Sequence, residues 1–172
     1  MVMRARPTSG RVDPYNRASM KFLELKIPPP ALALIVAVLM WLASQLMEPP
    51  RASFAIRVTA ALGLLVVGQS ISVGGMRSFR KAKTTMNPFK PGATSALVSD
   101  GVYRFTRNPM YVGLLITLLG WATFLSQPVA LVFLPLFFLY ITQFQIKPEE
   151  RVLSSMFGTE YAEYVAKVRR WL

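Results

Sequence analysis

Four apolar runs constrain the fold of this chain more than any other feature. As a helix, each run would be about as long as a bilayer is thick. They cover about 28–47, 53–75, 109–126 and 129–146. A helix needs roughly 17–25 mostly apolar residues to cross the hydrocarbon core, and a helix satisfies its own backbone hydrogen bonds there. We therefore predict an all-α, polytopic membrane protein with four transmembrane helices.

The last two runs form a hairpin that is followed by a helix of different character. Only Ser126, Gln127 and Pro128 separate the two runs, so the helices should pack antiparallel. Pro148 is expected to break the fourth helix and to turn the chain back toward its hairpin partner. Beyond it, apolar residues recur every three or four positions as far as Trp171. This pattern predicts a C-terminal amphipathic helix at the membrane interface.

The charge of the chain follows the membrane topology. The net charge is +12, and eighteen of the twenty Lys and Arg residues fall on one predicted side, the exceptions being Arg51 and Arg57. Such a bias marks the cytoplasmic side. We predict an integral protein of the cytoplasmic membrane with both termini in the cytoplasm. Its electrostatic partners are expected to be anionic membrane lipids rather than nucleic acid.

The chain divides into a short arm and one membrane domain. Residues 1–27 are predicted to be a basic cytoplasmic arm, and residues 28–172 the membrane domain. A polar stretch at 76–108 is long for a connection, and such loops are often functional. The chemistry is expected to reside in 95–172.

The chain has no cysteine and no histidine. This excludes disulfide bonds, a Cys/His metal site, a thiol nucleophile and an imidazole base. We predict no bound metal. If the protein is an enzyme, a bound cofactor is expected to carry the difficult step.

Basic and aromatic residues lie just before the third run, at the predicted cytoplasmic end that we call its foot. Arg104 and Arg107 precede a helix that is expected to start at Pro109, with Asn108 as its side-chain N-cap. A helix N-terminus and a guanidinium both favour a carboxylate. Two tyrosines, at 103 and 111, offer flat faces to a heteroaromatic ring.

Two carboxylates lie at the foot of the fourth run. One of Glu149 and Glu150 can accept from an ammonium group and the other from ribose hydroxyls. Each foot, taken alone, is equally well explained as an ordinary helix flank. Taken together on one hairpin, the two feet predict a pocket for a small zwitterionic cofactor. Tyr161 and Tyr164 are interpreted as interfacial belt residues rather than ligands.

These residues carry a family resemblance. The chain resembles the isoprenylcysteine carboxyl methyltransferases and the related phospholipid methyltransferases, whose pattern is roughly G-x-Y-x-x-x-R-[HN]-P-x-Y-x-G, a hairpin, and E-E-x-x-L-x-x-x-F-G-x-x-Y-x-x-Y. The matching residues are Gly101, Tyr103, Arg107, Asn108, Pro109, Tyr111, Gly113, Glu149, Glu150, Leu153, Phe157, Gly158, Tyr161 and Tyr164. Many members have histidine where Asn108 stands, so a role that needs an ionisable imidazole does not transfer.

The resemblance implies S-adenosylmethionine as the methyl donor and a lipophilic acceptor that arrives from the bilayer. Transfer of an activated methyl group needs alignment and desolvation more than a protein nucleophile. The predicted catalytic groups are Arg107, Asn108 and Glu150. The predicted cofactor-binding residues are Val102, Tyr103, Arg104, Arg107, Asn108, Pro109, Tyr111, Gly113, Glu149 and Glu150. The acceptor is a carboxylate like that of isoprenylcysteine, a thiol or a phospholipid amine.

Two other functions compete with this one. A membrane reductase of the sterol-reductase type would bind NADPH in a related C-terminal half. A small transporter or scaffold would have no enzymatic activity. The centres of the four runs carry no ionisable residue, which argues against an ion-coupled transporter.

Overall fold

The computed structural model describes residues 24–48, 52–82 and 96–172. Within these residues the chain is all-helical, as predicted. The helices are α1 (Pro29–Ser44), α2 (Phe54–Lys81), α3 (Pro109–Leu125), α4 (Pro128–Ile141) and α5 (Lys147–Lys167), with a 3₁₀ turn at Gly101–Arg104 and a π-helical turn at Thr142–Ile146. The predicted arm lies outside the described residues except for its last four.

Two helical stretches are long and apolar enough to cross a bilayer. They are Phe54–Lys81 and Pro128–Lys167. Helices α1 and α3 are also apolar but have only 16 and 17 residues. Four membrane spans therefore stay a prediction.

Helices α2 and α3 pack closely because glycines meet where they cross. A methyl group added at Gly68 would lie 2.6 Å from the carbonyl oxygen of Gly113 and 2.8 Å from Oγ1 of Thr117. A methyl group at Gly113 would in turn overlap Ser72 and the backbone of Gly68. Small residues allow such close approach between membrane helices. The crossing fixes the start of α3, and with it the residues at its foot.

Helix α1 packs against α3 and α4 to form the main apolar core. Met40, Phe137 and Ile141 are fully buried in it. The indole Nε1 of Trp121 donates a 2.9 Å hydrogen bond to the carbonyl oxygen of Ala37 and so ties α3 to α1. The hairpin between α3 and α4 is short, as predicted, and Ser126 takes a left-handed conformation at its turn (φ 51°).

The prediction that Pro148 breaks the helix is wrong. The helix runs on from Pro128 past Pro148, through the π-helical turn, as far as Gly158. Pro148 has no N–H to give to the carbonyl of Phe144, four residues earlier. That carbonyl accepts a 3.1 Å hydrogen bond from the backbone N–H of Leu25. A π-turn accommodates such a disturbance inside a continuous helix and is often found at functional sites.

Gly158 interrupts the helix that follows Pro148. Gly158 has φ 50° and ψ −117°, so the helical stretch called α5 is two helices joined at this residue. Glycine tolerates this conformation where other residues are strained. The second part of α5 leads to residues 168–172, which lie in extended or irregular conformation against the foot of α3.

Candidate functional site

A cavity of about 130 Å³ lies between the foot of α3, the start of α5 and the segment before α3. Its wall combines apolar, aromatic and charged side chains. The lining residues are Phe79, Ala96, Leu97, Val98, Tyr103, Arg107, Asn108, Met110, Tyr111, Ile146, Glu149, Glu150, Leu153, Tyr161 and Tyr164. The basic foot of α3 and the acidic foot of α4 therefore meet around one hollow, as the hairpin predicted.

An ion-pair cluster of one carboxylate and two guanidinium groups adjoins the cavity. Glu150 and Arg107 line the cavity, and Arg170 binds Glu150 without lining it. Glu150 Oε1 lies 3.2 Å from Nη1 of Arg107 and accepts a 2.9 Å hydrogen bond from Nε of Arg170. Its Oε2 accepts from Nη2 of Arg170 at 2.7 Å. The hydrogen bond to Glu150 raises the pKa of Arg170. The three side chains together carry one net positive charge.

Arg107 retains an unused donor in this cluster. Its side chain is only 10% exposed. Its Nε is buried and has no hydrogen-bond acceptor among the residues that the structure describes. A buried donor without an acceptor is costly, so this nitrogen identifies a position suited to an anionic ligand group.

The second carboxylate has a different environment. Glu149 lies beyond the apolar stretch that ends at Ile146, and the hydroxyl of Tyr111 donates a 2.6 Å hydrogen bond to its Oε1. Burial raises the pKa of Glu149 to about 7, with the negative charge of Glu150 contributing in the same direction. The hydrogen bond from Tyr111 lowers the pKa of Glu149, but by less than burial raises it. Near neutral pH this carboxyl group can accept or release a proton.

The C-terminal residues bind two lining residues of the cavity at the foot of α3. The backbone N–H of Arg107 donates to the carbonyl oxygen of Arg169 at 3.0 Å. Asn108 Nδ2 donates to the carbonyl oxygen of Arg170 at 2.8 Å. Trp171 stacks on Phe138, with ring centroids 4.6 Å apart, and anchors the tail to α4. We call residues 168–172 the C-terminal strap.

The expected role of Asn108 as a side-chain cap is wrong. Asn108 occupies the N-cap position of α3, but its side chain makes no capping hydrogen bond. Its amide is used on the strap instead. The hydroxyl of Thr106 accepts from the backbone N–H of Asn108 at 3.1 Å and closes the local turn.

The interpretation of Tyr161 and Tyr164 as interfacial belt residues is also wrong. They are only 4% and 8% exposed, and both line the cavity. The hydroxyl of Tyr164 donates a 2.8 Å hydrogen bond to the carbonyl oxygen of Tyr103. The ring of Tyr103 packs edge-on against Phe79, with centroids 5.5 Å apart. An aromatic cluster thus forms part of the cavity wall.

The structure divides the predicted site residues into two groups. Six of them line the cavity, namely Tyr103, Arg107, Asn108, Tyr111, Glu149 and Glu150, whereas Val102, Arg104, Pro109 and Gly113 do not. Arg104 is exposed. Val102 and Pro109 face the glycines at 74 and 75 of α2, and Gly113 lies at the crossing with α2.

Sequence reasoning missed Arg170 and Phe79. In the sequence, no periodic signal separates the strap from the last helix, so Arg170 resembles a residue on the polar face of that helix. Phe79 lies at the end of α2, far from the motif in sequence, and only the fold brings it to Tyr103. Among the described residues, no group of three or more Asp, Glu, His or Cys side chains is arranged to hold a metal ion.

Comparison with known proteins places this site in a family. The profile of the family described as phospholipid methyltransferase matches residues 56–160, more than half of the chain. The chain belongs to the phospholipid methyltransferase family. The matched region covers α2 from Ile56 onward, both feet of the hairpin and α5 as far as Glu160.

Individual relatives agree with the family. A protein-S-isoprenylcysteine O-methyltransferase of Schizosaccharomyces pombe is 32% identical over 115 residues, which are 67% of this chain and 49% of that protein. Protein-S-isoprenylcysteine O-methyltransferase A of Arabidopsis thaliana is 29% identical over 139 residues, 80% of this chain and 70% of the relative. An uncharacterized protein of Haemophilus influenzae is 49% identical over 63 residues, 37% of this chain and its own full length. The chain spans about half the length of the S. pombe relative.

Proposed function

We propose that this protein is an integral membrane methyltransferase that binds S-adenosylmethionine in the cavity and methylates a lipophilic acceptor. The observation that carries the proposal is the meeting of Arg107, Glu149, Tyr103 and Tyr111 around one hollow, all four within the region matched by the family. When bound, the donor supplies a methyl group activated on a sulfonium. The protein then has to bind, orient and desolvate the reactants.

The residues of the cavity fit such a donor. The buried Nε of Arg107 and the net positive charge of its cluster suit a carboxylate. Glu149, whose Oε1 already accepts from Tyr111, has its other oxygen available for an ammonium or a ribose hydroxyl. The rings of Tyr103 and Tyr161 supply flat apolar surface for an adenine.

The cavity must enlarge when such a ligand binds. Its volume of about 130 Å³ is below the roughly 300–1,000 Å³ of typical small-molecule sites. The walls that can separate are the feet of the hairpin and the segment 96–98, which belong to different elements. Because these walls have to separate before the donor can bind, we expect the donor to associate more slowly than diffusion allows.

The two carboxylates have different roles in this proposal. Glu150 is held by two guanidinium groups and acts through them on the donor carboxylate. Glu149, with a pKa of about 7, accepts a proton if the acceptor is an amine. An acceptor carboxylate, such as the isoprenylcysteine group named for the relatives, needs no base. The same site therefore serves either acceptor class.

We place this site at the cytoplasmic face of a four-span bundle with both termini in the cytoplasm. Large apolar side chains cover the outside of the helices, including Leu34, Ile56 and Val66, each more than 60% exposed. Such a surface suits lipid rather than water. The chain has no cysteine, so single cysteines at 46, 100 and 127 can be tested with an impermeant thiol reagent in intact cells. Labelling at 100 but not at 127 would contradict this topology.

Ligand binding tests the proposed function directly. Calorimetry on the detergent-purified protein should detect binding of S-adenosylhomocysteine, the demethylated product. Arg107→Met should weaken it by about tenfold or more, the loss of a charge-assisted hydrogen bond. Arg77→Met, which removes an exposed arginine at the end of α2, should leave affinity unchanged.

The competing functions give different results in two assays. A reductase would be stabilised against heat by NADPH and not by S-adenosylhomocysteine. A scaffold would transfer no radiolabelled methyl group into membrane lipid or protein extracts. Absence of both product binding and labelled product with the unmodified protein would refute the methyltransferase proposal.

A further inference from the structure

We infer that Arg170, on the C-terminal strap, is a positioning residue that holds Glu150 so that Arg107 can bind the carboxylate of the methyl donor. This inference rests on the proposed function, since it assigns Arg170 a role at the same site. Arg170 lies outside the region matched by the family profile, which ends at residue 160.

The geometry makes Arg170 the stronger partner of Glu150. Arg170 forms two hydrogen bonds to Glu150, one to each carboxylate oxygen, at 2.9 and 2.7 Å. Arg107 makes a single longer contact of 3.2 Å, through Nη1. A guanidinium that binds both oxygens fixes the plane and the direction of the carboxylate. Glu150 is therefore oriented by the strap, and it in turn orients Arg107.

Charge explains why a second arginine is needed. Glu150 and Arg107 alone form a neutral pair, and a neutral pair attracts an anionic ligand only weakly. With Arg170 the cluster carries one net positive charge. The carboxylate of the donor can then complete an alternating arrangement of two guanidinium and two carboxylate groups, which leaves no buried charge without a partner.

The strap is held independently of this cluster, so Arg170 is not merely a tail residue that happens to touch Glu150. Backbone and amide groups at Arg107 and Asn108 bind the carbonyls of Arg169 and Arg170. Trp171 Nε1 donates to Oγ1 of Thr142 at 3.2 Å on the π-helical turn. These contacts place the Arg170 side chain without help from its own guanidinium, as preorganised binding requires.

The neighbouring arginine offers a matched control. Arg169 carries the same charge on the same strap, but its side chain is exposed. Arg169→Met and Arg170→Met thus remove the same charge from adjacent positions, and both keep the backbone carbonyls that bind the foot of α3. Arg170→Lys keeps the charge and loses the two-oxygen geometry.

Two ligands separate a positioning role from a structural one. S-adenosylhomocysteine has the amino-acid carboxylate and ammonium, and 5′-methylthioadenosine has the same nucleoside and sulfur without either charged group. We expect Arg170→Met to weaken S-adenosylhomocysteine by about tenfold and methylthioadenosine by less than twofold, as measured by calorimetry or competition. Arg170→Lys should recover part of the loss, and Arg169→Met should match the unmodified protein.

A double-mutant cycle completes the test. If Arg170 acts through Glu150, Arg170→Met should have no further effect on product binding in a Glu150→Gln background. The inference is overturned if Arg170→Met binds as Arg169→Met does, or if both ligands are weakened equally. Failure of the unmodified protein to bind S-adenosylhomocysteine would instead refute the proposed function, and this inference with it.

Discussion

The hydroxyl of Tyr111 lies 2.6 Å from Oε1 of Glu149 and joins the first turn of α3 to the start of α5. The two residues are 38 positions apart in sequence, and the whole hairpin lies between them. The bond links a group on the apolar helix α3 to a carboxyl group whose pKa is raised to about 7 by burial. Stability and ligand binding should therefore both respond to pH through Glu149.

The first prediction concerns thermal stability as a function of pH. An acid with a higher pKa in the folded protein holds its proton more tightly when folded. Its contribution to the free energy of unfolding is therefore fully present below the unfolded pKa. The effect is lost as pH rises from about 4.5 to about 7, a change of up to about 3 kcal/mol at roughly 1.4 kcal/mol per unit. The melting temperature in detergent, followed by intrinsic fluorescence, should fall across this range.

Glu149→Gln should flatten that dependence, because an amide keeps an oxygen for Tyr111 and has no charge to bury. We expect the variant to melt above the unmodified protein at pH 8 and close to it at pH 5. Glu160→Gln changes an exposed carboxylate on the same helix and should keep the original pH profile. A Glu149→Gln profile parallel to the unmodified one would contradict the assignment.

The second prediction compares two buried tyrosine hydroxyls. Tyr111→Phe removes the partner of Glu149 and should destabilise the protein by about 1–3 kcal/mol, the penalty for a buried polar group left unpaired. The Tyr140 hydroxyl is buried without a hydrogen-bond partner among the described residues, so Tyr140→Phe should be neutral or slightly stabilising. Equal effects of the two variants on melting temperature would show that the Tyr111 bond contributes nothing.

The third prediction tests the crossing of α2 and α3. Gly68→Ala should destabilise by about 1–3 kcal/mol, as overpacking does, because its methyl group meets backbone 2.6 Å away. Gly63→Ala adds the same methyl group on the same helix where nothing lies within 4 Å. It should be neutral or stabilising by up to about 1 kcal/mol through helix propensity. Melting curves of the two variants decide whether stability depends on close packing at the crossing or only on replacing a glycine in the helix.

The fourth prediction concerns Asn108. Its side-chain amide donates to the carbonyl oxygen of Arg170 at 2.8 Å. An aspartate at this position would place a carboxylate oxygen, which is also an acceptor, against that carbonyl oxygen. Asn108→Asp should therefore loosen the strap and weaken product binding about tenfold, a loss similar to that of a charge-assisted hydrogen bond. Asn108→His keeps an N–H donor and should retain most of the affinity. Protection of the strap against carboxypeptidase gives an independent measurement.

The motif residues and the hairpin were predictable because their signals are local. Run length and the short turn at Ser126 define two antiparallel helices, and antiparallel helices bring their outer ends together. That geometry alone placed Arg107 near Glu150. The same reasoning failed at Pro148, since the proline rule considers one helix alone. It does not include a donor from a distant part of the chain, here the backbone N–H of Leu25, that binds the carbonyl oxygen of Phe144.

By itself the sequence determined that the chain is helical, apolar on the outside and charged at the feet of one hairpin, because these properties depend on runs and spacings of neighbouring residues. Only the tertiary structure decided which charged groups pair, which tyrosines are buried and that Arg170 joins the site. Those outcomes depend on contacts between residues 20 to more than 60 positions apart, and no periodicity in the sequence encodes such distances.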